Sequence, residues 1–168
     1  MSRTSRPSIT SYRQVWLLLR YRATERAEIF LIFLQAEYVM GAKVWLVDDD
    51  VSVRESLGFL LRTVDYEVAD FADLASFETA AAGQQAVCGC LLLDVRQPES
   101  SGLSWLARQG ARHPLLPVII MTGHDTLEAC RRLFAQGAFA FFTRPLEIES
   151  LLETVRLAMR ESEQRASL

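Results

Sequence analysis

Cysteine and histidine are scarce in this chain of 168 residues, which carries three Cys and two His. Cys88, Cys90 and Cys130 form neither a disulfide framework nor a four-ligand zinc pattern, and two histidines cannot complete one. They read as reduced, packed thiols. His113, in a loop before Pro114, is expected to face solvent. Long apolar runs are also missing: Val15–Leu19 and Ile29–Leu34 fall well short of a bilayer span, and Arg20, Arg22, Glu25, Arg26 and Glu28 break the order of a secretory signal. The expectation is a cytoplasmic protein with no membrane partner. A basic stripe is lacking too. The net charge of -3 hides an asymmetry, with six Arg and three Glu in residues 1–42 and twelve Lys/Arg against eighteen Asp/Glu beyond them. The acidic remainder argues against nucleic-acid contact, because that affinity comes largely from clustered cations.

What is present begins with Leu91-Leu92-Leu93-Asp94-Val95-Arg96-Gln97-Pro98. An apolar run too short for a buried helix ends in an acid and is followed by turn residues, which reads as a buried strand delivering one carboxylate to its C-terminal edge. Ligands of open parallel α/β sheets gather at that edge, so Asp94 is the first candidate for chemistry.

The rest of the chain alternates around it. Residues 1–11 lack periodicity and are expected to be disordered, and Ser11–Met40 reads as a helix or, around Ile29–Leu34, a strand. Residues 1–42 are therefore set apart as an extension, either an upstream leader ahead of a start at Met40 or an apolar helix docking on a second copy. Lys43–Val47 is the first strand, and Ser52-Val53-Arg54-Glu55 has the capping-box pattern of a helix with Val53, Leu57, Leu60 and Leu61 inward. Tyr66–Phe71 is a strand, Asp73–Ala82 a helix, and Gly89–Leu93 the third strand. Leu103–Gln109 is a helix burying Leu103, Leu106 and Ala107 and closed by Gly110. Pro117–Met121 is strand four, Asp125-Thr-Leu-Glu128 caps a helix to about Gln136, and Ala138–Phe142 is strand five. A last helix spans 147–162, with Ile148, Leu151, Leu152, Val155 and Met159 at helical spacing, ahead of a tail at 164–168. Five βα units imply an α/β fold, a doubly wound parallel sheet with right-handed crossovers.

At the carboxyl edges this arrangement gathers Asp48, Asp49 and Asp50 after strand one, Asp94 after three, Thr122 after four and Arg144 after five. Crowded carboxylates repel, and a hard divalent cation relieves them, so Mg²⁺ is the expected cofactor. A metal, a hydroxyl and a cation around one carboxylate are the parts needed for that carboxylate to accept phosphoryl covalently. Each part alone has a plainer reading: an Asp triplet is a solvated turn and helix cap, Thr122 a strand-end hydroxyl, Arg144 a surface cation. Their coincidence at one edge reverses the balance. No Gly- or Ser/Thr-rich phosphate loop follows strand one, where a flavin would need one, which counts against a flavodoxin-fold enzyme or carrier.

Val47-Asp48-Asp49-Asp50, Leu93-Asp94-Val95-Arg96-Gln97-Pro98 with Gly102, Met121-Thr122-Gly123-His124 and Phe141-Phe142-Thr143-Arg144-Pro145 together resemble the receiver (CheY-like) domain of bacterial response regulators, most closely the FixJ/NarL type. The resemblance spans about residues 43–163. It implies a flavodoxin-like (βα)5 fold with strand order 2-1-3-4-5, and a phospho-acceptor signalling domain rather than a general enzyme. It further implies that Asp94 is the acceptor, that Asp48, Asp49, Asp94 and the backbone carbonyl of Arg96 hold Mg²⁺, that Thr122 binds the phosphoryl oxygen, and that Phe141 is the aromatic that rotates on activation. The implied partners are a sensor histidine kinase and a second copy through the face of helix 125–136, strand 138–142 and helix 147–162, with transcriptional output where a DNA-binding domain follows. The alternative is a degenerate receiver acting as a phosphorylation-independent interaction module. One position departs from the family: Arg144 stands where Lys is usual, and a planar, longer guanidinium is not equivalent to an ammonium. His124, near the expected site, is a candidate for controlling water access.

Overall fold

A computed structural model describes residues 42–84, 86–95, 101–123, 131–132 and 134–167, all within the compact unit Tyr38–Leu168. The readings made for residues 1–41, Arg96–Pro98, His124, the Asp125–Glu128 cap and Cys130 lie outside the described residues. The elements are β1 (Lys43–Val47), α1 (Val51–Thr63), β2 (Val68–Phe71), α2 (Leu74–Ala82), β3 (Gly89–Val95), α3 (Ser101–Arg112), β4 (Val118–Thr122), β5 (Ala140–Thr143) and α4 (Ile148–Ala166). Between β4 and β5, Arg131, Arg132, Phe134 and Ala135 are helical, inside the stretch expected to be a helix.

Five parallel strands stand in the order β2-β1-β3-β4-β5, as the alternation of strand and helix required. Side chains alternate across the sheet with period two and so build two separate cores. Trp45, Val47, Leu91, Leu93, Val118 and Ile120 face α2 and α3 through Phe77, Ala81, Trp105 and Leu106. Val44, Leu46, Leu92, Ile119 and Met121 face α1 and α4 through Leu57, Leu61, Leu151 and Val155. Burial on both faces explains why the central strands read as continuous apolar runs rather than as alternation.

Several boundaries move for local reasons. The cap of α1 is Asp50, whose carboxylate accepts from the Ser52 amide at 2.9 Å and the Ser52 hydroxyl at 2.7 Å, so the Ser52–Glu55 box is not the cap. Tyr66 does not join β2, because its amide closes the end of α1 on the Leu61 carbonyl at 3.1 Å. In α3, Trp105 is buried while Ala107 is exposed, and the helix runs through Gly110 to Arg112. Helical bonding continues there through the His113 amide to Gln109, whose own side chain donates to the Leu116 carbonyl at 2.6 Å.

His113 is not solvent-facing: its side chain is 11% exposed and meets Glu78 at 3.1 Å. Its ring packs against both Phe77 and Trp105, and Trp105 Nε1 also donates to Glu78 at 2.7 Å, so one carboxylate joins α2 to α3. Ile148 is exposed. The last helix continues past 162 to Ala166 because Ser162, buried, accepts from the Gly89 amide at 2.8 Å and donates to the Leu115 carbonyl at 2.7 Å. Cys88 and Cys90 are free and buried, as expected of packed thiols; complete burial pushes the Cys90 thiol up to about 12.

Candidate functional site

The site lies where β1, β3, β4 and β5 end. Asp48 follows β1 directly, and every polar atom of it is engaged. Its amide donates to the Phe71 carbonyl of β2 at 3.1 Å, its carbonyl accepts from Arg54 Nη1 at 2.6 Å, and its Oδ1 accepts from the Asp50 amide at 2.9 Å. Its Oδ2 lies 2.7 Å from Arg144 Nη2, with the Asp48 side chain at 0% exposure. Asp49, next in sequence, is exposed.

Asp94 belongs to β3 rather than following it, because the β3–β4 ladder continues through Asp94↔Met121 and Val95↔Thr122. Only 6% of its side chain is exposed, and its Oδ1 lies 3.1 Å from the same Arg144 nitrogen. Arg144 thus bridges the two carboxylates with one nitrogen. Partial burial disfavours the charged guanidinium, but the Asp48 hydrogen bond and the charges of Asp94 and Asp48 outweigh it and hold the Arg144 pKa above the usual arginine value. The Arg144 amide donates to the Thr122 carbonyl at 3.0 Å, so the hydroxyl-bearing end of β4 and the cation after β5 are tied through the main chain. Thr122 is buried.

Asp48, Asp49 and Asp94 each offer a carboxylate oxygen, and the three atoms lie within 4.8 Å of one another. The donor set is all hard oxygen, and Arg144 already shows that it draws in positive charge; both features fit a hard divalent ion. Phe141 is half-buried against the core under α2 and α3, with the exposed Phe134 ring edge-on at 5.4 Å. The structure therefore brings together Asp48, Asp49, Asp94 and Arg144, with Thr122 on the adjoining strand end; Phe141 lies one strand further out, on β5. Arg96 lies outside the described residues.

Sequence reasoning passed over Arg54. Its signal was a cation in the first turn of α1, four residues after the Asp triplet, but a bond to a backbone carbonyl leaves no trace in a pattern of side chains.

The family model for the response regulator receiver domain matches residues 44–156. The chain belongs to that family. It is 34% identical over 122 residues to the response regulator protein TmoT of Ectopseudomonas mendocina, covering 73% of this chain and 54% of that one. It is 33% identical over 123 residues to the transcriptional regulatory protein FixJ of Bradyrhizobium diazoefficiens, covering 73% of this chain and 59% of that one. Among solved structures, the beryllofluoride-activated NtrC4 receiver domain dimer is similar with a TM-score of 0.64 and 26% identity, over 71% of this chain and 98% of that one. The chain spans about half the length of the curated relatives it matches. The flavodoxin-like order 2-1-3-4-5 is borne out, and the chain is a receiver of two-component response regulators, a signalling domain; a phosphorylation-independent module is the less favoured reading. Receiver domains generally bind Mg²⁺ at an acidic pocket and are phosphorylated by histidine kinases. Among the described residues, no helix is long and apolar enough to cross a membrane.

Proposed function

We propose that Asp94 is the phospho-acceptor of this receiver. The observation that carries the reading is the meeting of Asp48, Asp49 and Asp94 oxygens at one sheet edge, with Arg144 between two of them. Asp48, Asp49 and Asp94, joined by the backbone carbonyl of Arg96, would hold Mg²⁺. Bound there, the ion neutralises charge on the incoming phosphoryl group.

The Asp94 carboxylate oxygen forms a bond to phosphorus as the phosphorus–nitrogen bond of a kinase phosphohistidine breaks. The imidazole leaves with the electron pair and takes a proton from solvent. A small phosphodonor serves equally, through its phosphorus–oxygen bond. Arg144 turns from bridging Asp48 and Asp94 to pairing with the phosphoryl, the Thr122 hydroxyl binds one of its oxygens, and Phe141 follows inward. The charge change biases a two-state equilibrium on the face of residues 125–136, β5 and α4.

Dimerisation through that face is the proposed output, in keeping with the activated dimer of the similar NtrC4 receiver. The receiver begins at residue 43 and ends with α4, residues 1–42 are an extension, and transcriptional control follows where a DNA-binding domain is attached. A cytoplasmic protein served by a sensor kinase fits this reading.

Intact-mass analysis after incubation with acetyl phosphate and Mg²⁺ tests it. Wild type is expected to gain one phosphoryl group and Asp94→Asn none. Beryllofluoride with Mg²⁺ is expected to shift the NMR signals of Thr122 and Phe141. No uptake by wild type, or uptake retained by Asp94→Asn, would overturn the proposal.

A further inference from the structure

Arg54 stands on the first turns of α1 with its side chain only 16% exposed, too enclosed for a solvated surface cation. Two groups hold it. Nη1 donates to the Asp48 carbonyl at 2.6 Å, and Nε lies 3.4 Å from Asp70 Oδ2 on β2. Asp70 is in turn approached by Arg62 from the far end of α1, at 3.8 Å. The planar fork of the guanidinium therefore spans from the edge of the sheet to the turn after β1, a reach and geometry that suit Arg better than Lys.

The carbonyl that Arg54 holds belongs to the peptide joining Asp48 to Asp49. Fixing its direction fixes the plane of that peptide, and with it the direction in which Asp49 leaves. The Asp48 amide is meanwhile held by the Phe71 carbonyl at 3.1 Å, so the backbone of Asp48 is gripped on both sides. Asp49 is exposed, and its carboxylate lies within reach of those of Asp48 and Asp94.

We propose that Arg54, anchored by Asp70, is a positioning residue for the divalent ion, acting through the Asp48–Asp49 peptide and touching neither metal nor phosphoryl. The inference rests on the metal assignment made under Proposed function. It has a sign that electrostatics alone would reverse. Removing a cation beside three carboxylates should tighten a divalent ion by Coulomb's law, whereas releasing the peptide should loosen it. Loss of an outer partner of a metal ligand ordinarily costs about 10–100-fold in affinity, so positioning is expected to win.

The test is Mg²⁺ titrated calorimetrically into the full chain, with the Asp49 backbone amide followed by NMR, for wild type, Arg54→Met and Arg54→Lys. Arg54→Met is expected to bind Mg²⁺ about tenfold or more weakly while melting in chelator near the wild-type temperature. Arg54→Lys, which keeps the charge but loses the fork, is expected to show a smaller loss. Unchanged or tighter binding by Arg54→Met overturns the inference while leaving the phosphorylation reading intact. Should Arg54→Met fail to fold, Arg54→Lys decides, since wild-type affinity there means charge alone matters. Absence of Mg²⁺ binding by wild type overturns both this inference and the metal assignment.

Discussion

Arg144 places one guanidinium nitrogen 2.7 Å from Asp48 Oδ2, on a carboxylate with no exposed side-chain surface. The same nitrogen reaches Asp94, so a single cation compensates two buried acids. Breaking a fully buried pair by removing one partner costs about 3–5 kcal/mol. With the Arg144 side chain 32% exposed, solvent screens part of this, and Arg144→Ala is expected to cost roughly 1–3 kcal/mol. Mg²⁺ should restore most of that loss, because it supplies the missing positive charge. Thermal melts in chelator and in excess Mg²⁺ check this; a deficit that Mg²⁺ leaves untouched would show that the bridge is not exchangeable with a metal.

Gly89 opens β3 at φ +111, with an added Cβ falling 1.9 Å from the Lys43 carbonyl oxygen of β1. The obstacle is backbone of a paired strand and cannot step aside. Gly89→Ala is expected to destabilise by roughly 2–4 kcal/mol, combining backbone strain with a forced shift of the β1–β3 ladder. Urea unfolding measures it, and a loss under about 0.5 kcal/mol, typical of a surface change, would contradict it.

Glu78 serves Trp105, His113 and, at 3.9 Å, Arg112. Glu78→Ala leaves the Trp105 indole N–H without that acceptor, with an expected cost of about 1–3 kcal/mol. Tryptophan emission should change as α3 loosens from α2. Unaltered emission and stability together would rule out a structural role for this carboxylate.

Two helix-cap carboxylates give the protein an acid edge. Hydrogen bonds from the Ser76 amide and hydroxyl hold Asp73 below its ordinary value of 3.8, and those from Ser150 and Glu149 hold Glu147 below 4.5. Lowered folded-state values mean that the stabilisation is complete above the ordinary values and is lost as pH falls through the folded ones. Asp73→Asn and Glu147→Gln keep an acceptor oxygen without its charge. Each is expected to melt close to wild type when acidified, with the difference between them and wild type appearing only above about pH 4. A constant difference from pH 3 to pH 7 would mean that the caps do not titrate on folding.

Five strands, their parallel order and the acids at one edge were legible because the apolar runs are short, separated by turn residues and, β2 aside, closed by a polar residue. What escaped was set by long-range contact. His113 looked like a loop residue, yet Glu78, thirty-five positions away, draws it inward. Ala107 suited an inward helical stripe, but the buried stripe runs through Trp105, Leu106 and Gln109, with a partner for the Trp105 indole nitrogen, and leaves Ala107 outside. The apolar run ends at Leu93, whereas pairing with β4 carries β3 two residues further, through Asp94 and Val95. Arg54 remained invisible for a related reason, since its main acceptor is a peptide carbonyl common to every residue type.

The sheet also acts as a partition. Trp45 and Val47 belong to one core, Val44 and Leu46 to the other, and the strands' own backbones stand between them. Substitutions deep in opposite cores, such as at Phe77 and Leu151, share no packing partner, so their energetic effects should simply add. Such a protein can be repacked, by selection or by design, one side at a time.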